Sequence, residues 1–267
     1  MFKKLKSGTK QLIIEEQNGV IRLLLNNPKY KNALSEELTP YLREILKKIE
    51  RDSKYKLLIL KGVGQSFCSG GNIKGMKNNG LDKKRISEAL KISRLVKKQK
   101  ELTGLIYNLK IPTIAIITGA AAGAGFSLAL SCDLRIGNTK AFFISNYSKI
   151  GLSGDYGISW FLTKLVGESK AKEIMFLNER IYAKEAKKLG ILNIVIEKNF
   201  EKEIQNIINN ILEQSDLALK RIKSNINIAS NQTLEKSLIQ EAKHLIETAK
   251  SKEHKLAIRN FKKNNSR

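Results

Sequence analysis

The stretch Ile111-Pro-Thr-Ile-Ala-Ile-Ile-Thr-Gly-Ala-Ala-Ala-Gly-Ala-Gly-Phe-Ser-Leu-Ala-Leu-Ser-Cys-Asp133 changes character twice. Thr113–Ile117 is an unbroken apolar run, which reads as a strand buried on both faces. Gly119–Gly125 carries almost no side-chain bulk and reads as a turn. Phe126–Ser131 opens a helix. Strand, bare turn and helix in succession point to an α/β fold. The glycines let the backbone come close to something, either a packed neighbour or a ligand. Free N–H groups at the start of the helix would face the same way.

Working toward the N-terminus, Lys56–Leu60 repeats the pattern of a buried strand, and a Gly/Ser-rich loop, Gly62–Gly75, follows it. That loop holds a second small-residue segment, Ser66-Phe-Cys-Ser-Gly-Gly-Asn-Ile-Lys74. Asp82–Leu109 reads as one or two helices, with apolar residues at Ile86, Leu90, Leu95, Leu102 and Leu105, and Pro112 closes the region. Gln11–Glu16 and Val20–Leu25 flank Asn18-Gly19, a turn that supplies the positive φ angles of a tight hairpin. Asn26–Asn32 is a loop by its turn residues. Ser35 is a candidate N-cap, and Leu38, Leu42, Ile45, Leu46 and Ile49 follow at helical spacing.

Toward the C-terminus, Leu134–Ile136 and Ala141–Ile144 are short strand candidates. Gly151–Gly157 is a tight loop before helices at Ile158–Val166, Ser169–Leu177 and Ala183–Leu189, with Gly190 as a C-cap. Ile191–Ile196 is a strand. From Phe200 onward the pattern is helical only. The expected organisation is strand–strand–helix units over 1–197 and a helical piece over 198–267.

Composition narrows the function classes. The 267 residues, 42% hydrophobic, suffice for a globular core. No apolar run is long enough for a bilayer span, and Met1–Lys10 lacks the apolar stretch of a signal peptide. Two cysteines, Cys68 and Cys132, exclude a disulfide framework and fit a cytoplasmic location. The net charge of +24 raises the question of nucleic acid. The basic residues are dispersed and no RNA- or DNA-binding motif accompanies them, so solvated helix faces or a phosphate-bearing ligand explain them better. The two histidines, His244 and His254, lie in lysine-rich amphipathic helices and read as surface or subunit-contact residues. A histidine metal site or Ser-His-Asp triad in the strand-rich half is excluded on that count.

Taken in order along the chain, Leu25-Asn-Asn-Pro-Lys-Tyr-Lys-Asn-Ala-Leu34, the Ser66–Lys74 segment, Ile111–Asp133, Lys149-Ile-Gly-Leu-Ser-Gly-Asp-Tyr-Gly157 and Ala183-Lys-Glu-Ala-Lys-Lys-Leu-Gly-Ile-Leu192 resemble the crotonase, or enoyl-CoA hydratase/isomerase, superfamily. The resemblance runs from about residue 11 to 263. It implies an α/β spiral of ββα units with C-terminal helices that form a homotrimer or a dimer of trimers. It also implies an acyl-CoA thioester as substrate, with coenzyme A part of that substrate and no separate cofactor or metal.

The resemblance assigns an oxyanion hole to the N–H groups of Gly71 and Ala124. It places coenzyme A against Lys29, Lys31, Ala33, Ser69, Gly71, Asn72 and Ile73, with Phe261 and Lys262 arriving from a neighbouring subunit. Hydratases of the family use two glutamates, and this chain has Ser127 and Tyr147 at those positions. A third family position falls on Asp155, which several isomerases use as aspartate. The run Lys149–Gly167 looks most like the phenylacetate-type isomerases. The expectation is therefore an enoyl-CoA isomerase working through Asp155, with Tyr147 as a hydrogen-bond donor or pocket wall. A hydratase, lyase or thioester hydrolase on the same fold is the alternative, and a non-catalytic CoA- or RNA-binding homologue is the alternative of another class. Read without the resemblance, Asp155 is an N-cap for the helix at Ile158. Trp160 and Phe161 are expected in helix core or acyl pocket, and Cys68 as a small buried residue.

Overall fold

The computed structural model describes residues 2–72 and 86–265. Part of the Asp82–Leu109 helical expectation, together with Ile73, lies outside the described residues. The chain divides into two compact units, Met1–Leu109 with Thr113–Ile204, and Lys110–Pro112 with Gln205–Arg267.

The first unit is built on two sheets. The larger has the order β1-β2-β3-β4-β6-β8-β11. It comprises β1 (Lys3–Leu5), β2 (Leu12–Gln17), β3 (Val20–Leu25), β4 (Leu57–Gly62), β6 (Thr113–Ile117), β8 (Leu134–Asn138) and β11 (Ile194–Ile196). The smaller has the order β10-β9-β7-β5, from β5 (Ser66–Cys68), β7 (Ala120–Ala122), β9 (Phe142–Ile144) and β10 (Ile181–Tyr182). The hairpin forms as expected, because Asn18 and Gly19 both take positive φ (50° and 81°). From β3 onward the larger sheet is parallel, and Leu57, Leu58, Leu60, Ala115 and Ile117 are fully buried in it.

Helices cover these sheets: α1 (Leu38–Arg51), α2 (Glu88–Gln99), α3 (Leu105–Asn108), α4 (Ala124–Leu130), α5 (Ile158–Leu177) and α6 (Ala183–Lys188). The Ser35 hydroxyl accepts the Leu38 N–H at 3.0 Å, as its capping role requires. A π-helical turn, Lys100–Gly104, joins α2 to α3. Gly167 (φ 77°, ψ 166°) breaks α5 into the two helices expected there.

Three strands differ from the sequence pattern. Ala120–Ala122 is a strand rather than a turn, since pairing with β5 and β9 on its two sides overrides alanine's weak strand preference. The last strand is shorter than Ile191–Ile196 and begins at Ile194. Lys3–Leu5 pairs with β2, although its sequence carries no strand pattern.

The second unit is helical, continuing from α7 (Phe200–Leu212), which starts in the first. It holds α8 (Asp216–Ala229), α9 (Leu234–Ala249) and α10 (Lys252–Asn265). Its apolar residues are unevenly covered. Ile222, Ile226, Leu238 and Leu245 are each more than half exposed. His244, read as a surface or subunit-contact residue, is 8% exposed within the chain, with Nδ1 bonded to the Asn225 amide and Nε2 to the Gln240 amide.

Candidate active site

The two small-residue segments meet. Gly70 (φ 94°) lies so close to the second segment that a Cβ there would stand 2.7 Å from the Ala122 oxygen and 3.3 Å from the Ala124 nitrogen. A Cβ on Gly125 would fall 2.2 Å from the Cys68 oxygen. Both glycines are therefore required by close approach of backbone to backbone. Leu34 pairs with Gly71 through Leu34 N–H to the Gly70 oxygen (2.7 Å) and Asn72 N–H to the Leu34 oxygen (3.3 Å). That pattern uses the groups on either side of Gly71 and turns its own N–H away from Leu34. Ala124 is the first residue of α4, where an N–H has no intrahelical acceptor. Among the described residues no hydrogen bond engages either N–H. The segments thus present two backbone donors on neighbouring loops.

Ser127, in the helix that Ala124 opens, links this region to Asp155. Asp155 follows the Ser148–Ile150 turn and precedes α5. Its backbone oxygen accepts the Ile158 N–H at 3.2 Å, but its side chain caps nothing. Instead Asp155 Oδ1 accepts the Tyr147 hydroxyl at 2.7 Å. Ser127, one turn into α4 from Ala124, donates its hydroxyl to the Asp155 backbone oxygen at 3.0 Å and lies 3.3 Å from the Tyr147 oxygen. Tyr147 is 5% exposed and Ser127 fully buried. Burial holds the Asp155 carboxyl above the ordinary carboxylate range, and the Tyr147 hydrogen bond pulls it back part of the way. Burial first, then the nearby Asp155 charge, push the Tyr147 phenol up, so it stays a neutral donor. The capping reading of Asp155 is corrected: Gly157 holds the N-cap position of α5, and the Asp155 carboxyl is taken by Tyr147 instead.

The loop that carries Asp155 is tied from two sides. The Tyr156 N–H donates to the Gln99 side-chain oxygen at 3.1 Å, next to the π-helical turn. Asn178, buried at the end of α5 with φ 53°, bonds Ser145 and Ser148 on either side of Tyr147. Neither Asn178 nor Gln99 is marked by a local pattern, because their partners are distant in the chain.

A cavity of about 260 Å³ lies alongside, lined by Gln99, Thr103, Gly104, Tyr107, Trp160 and Phe161, among others. Tyr107 meets Trp160 edge to face at 5.1 Å, and Phe161 completes the aromatic cluster. Phe161 is buried while Trp160 is 41% exposed, so they divide between core and cavity wall.

A second, polar cavity of about 630 Å³ gathers Lys31, Ser69, Asn146, Lys149, Arg180 and Tyr182, among others. Lys31 and Ser69 were expected at the coenzyme A site; Lys149 and Arg180 were not. Lys149 reaches the Asn178 backbone oxygen at 3.2 Å, and Arg180 lies over the Phe142 ring at 5.0 Å. Lys29 is exposed over the Tyr30 ring. Ala33 is buried, its N–H bonded to the Tyr30 oxygen at 3.1 Å, and Ser69 N–H bonds the Lys31 oxygen at 2.9 Å. Asn32, fully buried between them, fixes this loop: Oδ1 accepts the Asn27 N–H, and Nδ2 donates to the Val63 and Ser66 oxygens. Cys68 is fully buried, and burial pushes its thiol up to about 12, which removes it as a nucleophile. Phe261 is 65% exposed on α10 of the second unit; Lys262 belongs to the same helix.

The enoyl-CoA hydratase/isomerase family model matches residues 15–266. The 1,2-epoxyphenylacetyl-CoA isomerase of Escherichia coli is 30% identical over 83% of this chain and 84% of its own length. The short-chain-enoyl-CoA hydratase of Clostridium acetobutylicum is 30% identical over 94% of each. A crystal structure of an enoyl-CoA hydratase from a Polaromonas species superposes with a TM-score of 0.84 at 30% identity, over 95% of this chain and 97% of that one. The chain, with its two-sheet α/β core, belongs to the enoyl-CoA hydratase/isomerase family, the crotonase superfamily.

Proposed function

We propose that this chain is an acyl-CoA isomerase, which moves a double bond or rearranges an activated ring in an acyl group held as a coenzyme A thioester. The observation that supports this most is the Ser127–Tyr147–Asp155 cluster. Hydroxyls occupy the two positions expected to hold glutamates in a hydratase, and both bond to Asp155. Hydration needs a positioned water and a second acid–base group. Isomerisation needs one group that takes a proton from one carbon and returns it to another.

In this reading the thioester oxygen sits between the N–H groups of Gly71 and Ala124. Removing a proton next to the thioester builds negative charge on that oxygen, and each aimed donor contributes about 3–4 kcal/mol to stabilising it. Asp155 is the base. Its burial raises its proton affinity and so suits it to a weak carbon acid. The acyl group lies toward the cavity of Tyr107, Trp160 and Phe161. The phosphates of coenzyme A meet Lys29 and Lys31, and we add Lys149 and Arg180 from the polar cavity. Main-chain atoms of Ala33 and of Ser69, Gly70, Gly71 and Asn72 face the pantetheine and adenine.

The exposed apolar side chains of α8 and α9 are assigned to contacts between copies in a trimer or dimer of trimers, which would bring a neighbour's Phe261 and Lys262 to the ligand. The location proposed is the cytoplasm. No described helix is long and apolar enough to cross a membrane.

Hydration is the competing reading, favoured by the names of the Clostridium relative and of the crotonyl-CoA hydratase of Syntrophomonas wolfei. Product analysis decides between them. Purified protein is incubated with a panel of 3-enoyl- and 2-enoyl-CoA thioesters, and products are separated by chromatography and identified by mass and by the absorbance of the conjugated thioester. Conjugated isomers of unchanged mass support the proposal. Products heavier by one water overturn it in favour of a hydratase. No turnover, with salt-sensitive binding to RNA, overturns it in favour of a binding protein.

A further inference from the structure

Four acceptors face two hydroxyl protons in this cluster. The acceptors are Asp155 Oδ1, the Asp155 backbone oxygen and the Tyr147 and Ser127 hydroxyl oxygens. Tyr147 has one proton to give and stands 2.7 Å from Oδ1, against 3.5 Å from the Asp155 backbone oxygen and 3.3 Å from Ser127. The short contact takes it. Ser127 then directs its proton to the Asp155 backbone oxygen at 3.0 Å. Ser127 is itself fixed, its N–H bonded to the Gly123 oxygen at 3.2 Å in the turn that presents Ala124. One short helix therefore sets both the Ala124 donor and, through Ser127, the main chain of Asp155.

We infer that Tyr147 is a positioning residue that occupies Asp155 Oδ1 and leaves Oδ2 as the single oxygen that carries the substrate's proton. This rests on Asp155 being the acid–base group of the proposed isomerisation. In the first step the C–H bond at one acyl carbon breaks and Oδ2–H forms, while the electron pair moves into the enolate. In the second the enolate's electrons form a C–H bond at another carbon with the same proton, and the carboxylate is restored. No proton is gained or lost overall. Tyr147 donates to Oδ1 throughout and is never itself deprotonated. Because one oxygen gives and takes, both transfers occur on one face of the acyl group.

The test uses Tyr147→Phe, which keeps the buried ring and removes one oxygen. A hydrogen bond to a carboxylate stabilises its charged form, so its loss raises the proton affinity of Asp155. The acidic limb of kcat/KM should move up by about one to two pH units. Above the limb, kcat should fall about tenfold or more with KM within about twofold, since the oxygen is no longer held in one orientation. Ser127→Ala should shift kcat in the same direction by less. An acidic limb that stays where the natural enzyme has it overturns the inference. So does a loss confined to KM.

If Tyr147→Phe does not fold, a fluorinated tyrosine at position 147 keeps the oxygen and makes it a stronger donor. The limb should then move down, and an unmoved limb again overturns the inference. Asp155→Asn separates the two claims. If it is inactive while Tyr147→Phe behaves as the natural enzyme, the inference on Tyr147 fails and the isomerase reading stands. If Asp155→Asn is fully active, the isomerase reading itself fails.

Discussion

Replacing Asn32 by Ala tests whether a single buried amide holds the ligand-facing loop. Asn32 is fully buried and makes three hydrogen bonds, at 2.8 Å from the Asn27 N–H and at 2.9 and 2.8 Å to the Val63 and Ser66 oxygens. Each contributes about 1 kcal/mol net, and each partner left without a bond inside the protein costs about 1–3 kcal/mol before water enters. With partial hydration of the vacated space, the loss comes to about 3–4 kcal/mol. Asn32 also takes a positive φ of 56°, which asparagine tolerates better than alanine. For a chain of this size that loss lowers the midpoint of thermal unfolding by about 10 °C.

Urea denaturation followed by circular dichroism measures the loss directly. Asn26→Ala is the control. Its side chain makes one exposed bond, to the Lys10 oxygen, and its loss should cost less than about 1 kcal/mol. Because Leu34 pairs with Gly71, the Asn32 variant should also raise KM for an acyl-CoA. A stability loss for Asn32→Ala no larger than that of the control would refute the reasoning.

Other outcomes follow from the same geometry. Gly125→Ala puts a methyl group 2.2 Å from the Cys68 oxygen, so the two segments must separate. Its unfolding free energy should fall by about 1–3 kcal/mol and kcat by a larger factor than KM rises. Arg180→Ala should raise KM for an acyl-CoA and leave KM for the matching acyl-pantetheine, which lacks the nucleotide phosphates, unchanged; steady-state kinetics with both thioesters decides it. The pH dependence has a definite sign. In the proposed reaction Asp155 is the base and must be ionised; its burial raises its pKa, so kcat/KM should fall with acid along a limb above the ordinary carboxylate value of about 3.9. A group whose folded pKa is raised contributes stability at low pH and loses it as pH rises through that pKa. Asp155→Asn should therefore be more stable than the natural chain at neutral pH and gain little in acid, as melting at both pH values will report.

How far the sequence could be read depended on the range over which each feature is determined. The hairpin was legible because Asn18-Gly19 meets the demand for two positive φ angles within two residues. The break in α5 was legible for the same reason at Gly167. Ala120–Ala122 was not, because its strand exists through pairing with Ser66–Cys68 and Phe142–Ile144, and three alanines carry no strand signal of their own. The enclosure of His244 was not legible, because its lysine-rich neighbours mark an exposed helix, while Asn225 on the preceding helix bonds its ring.

The candidate site divides the same way. Each small-residue segment is visible as glycine and alanine, but their mutual approach, Gly70 against Ala122 and Gly125 against Cys68, is a property of the fold. Asp155 read locally as a cap, and only its resemblance to family positions singled it out. The bond from Tyr147 to its carboxyl, and the support of Asn178 behind Tyr147, join residues whose spacing carries no message by itself.

The central claim is that one carboxylate, Asp155, carries the proton. The most direct measurement is the isomerisation of a 3-enoyl-CoA by Asp155→Asn beside the natural chain, together with the circular dichroism spectrum of each. A folded variant with turnover reduced by about a thousandfold or more is the predicted result. A folded variant that isomerises at the natural rate would contradict the account.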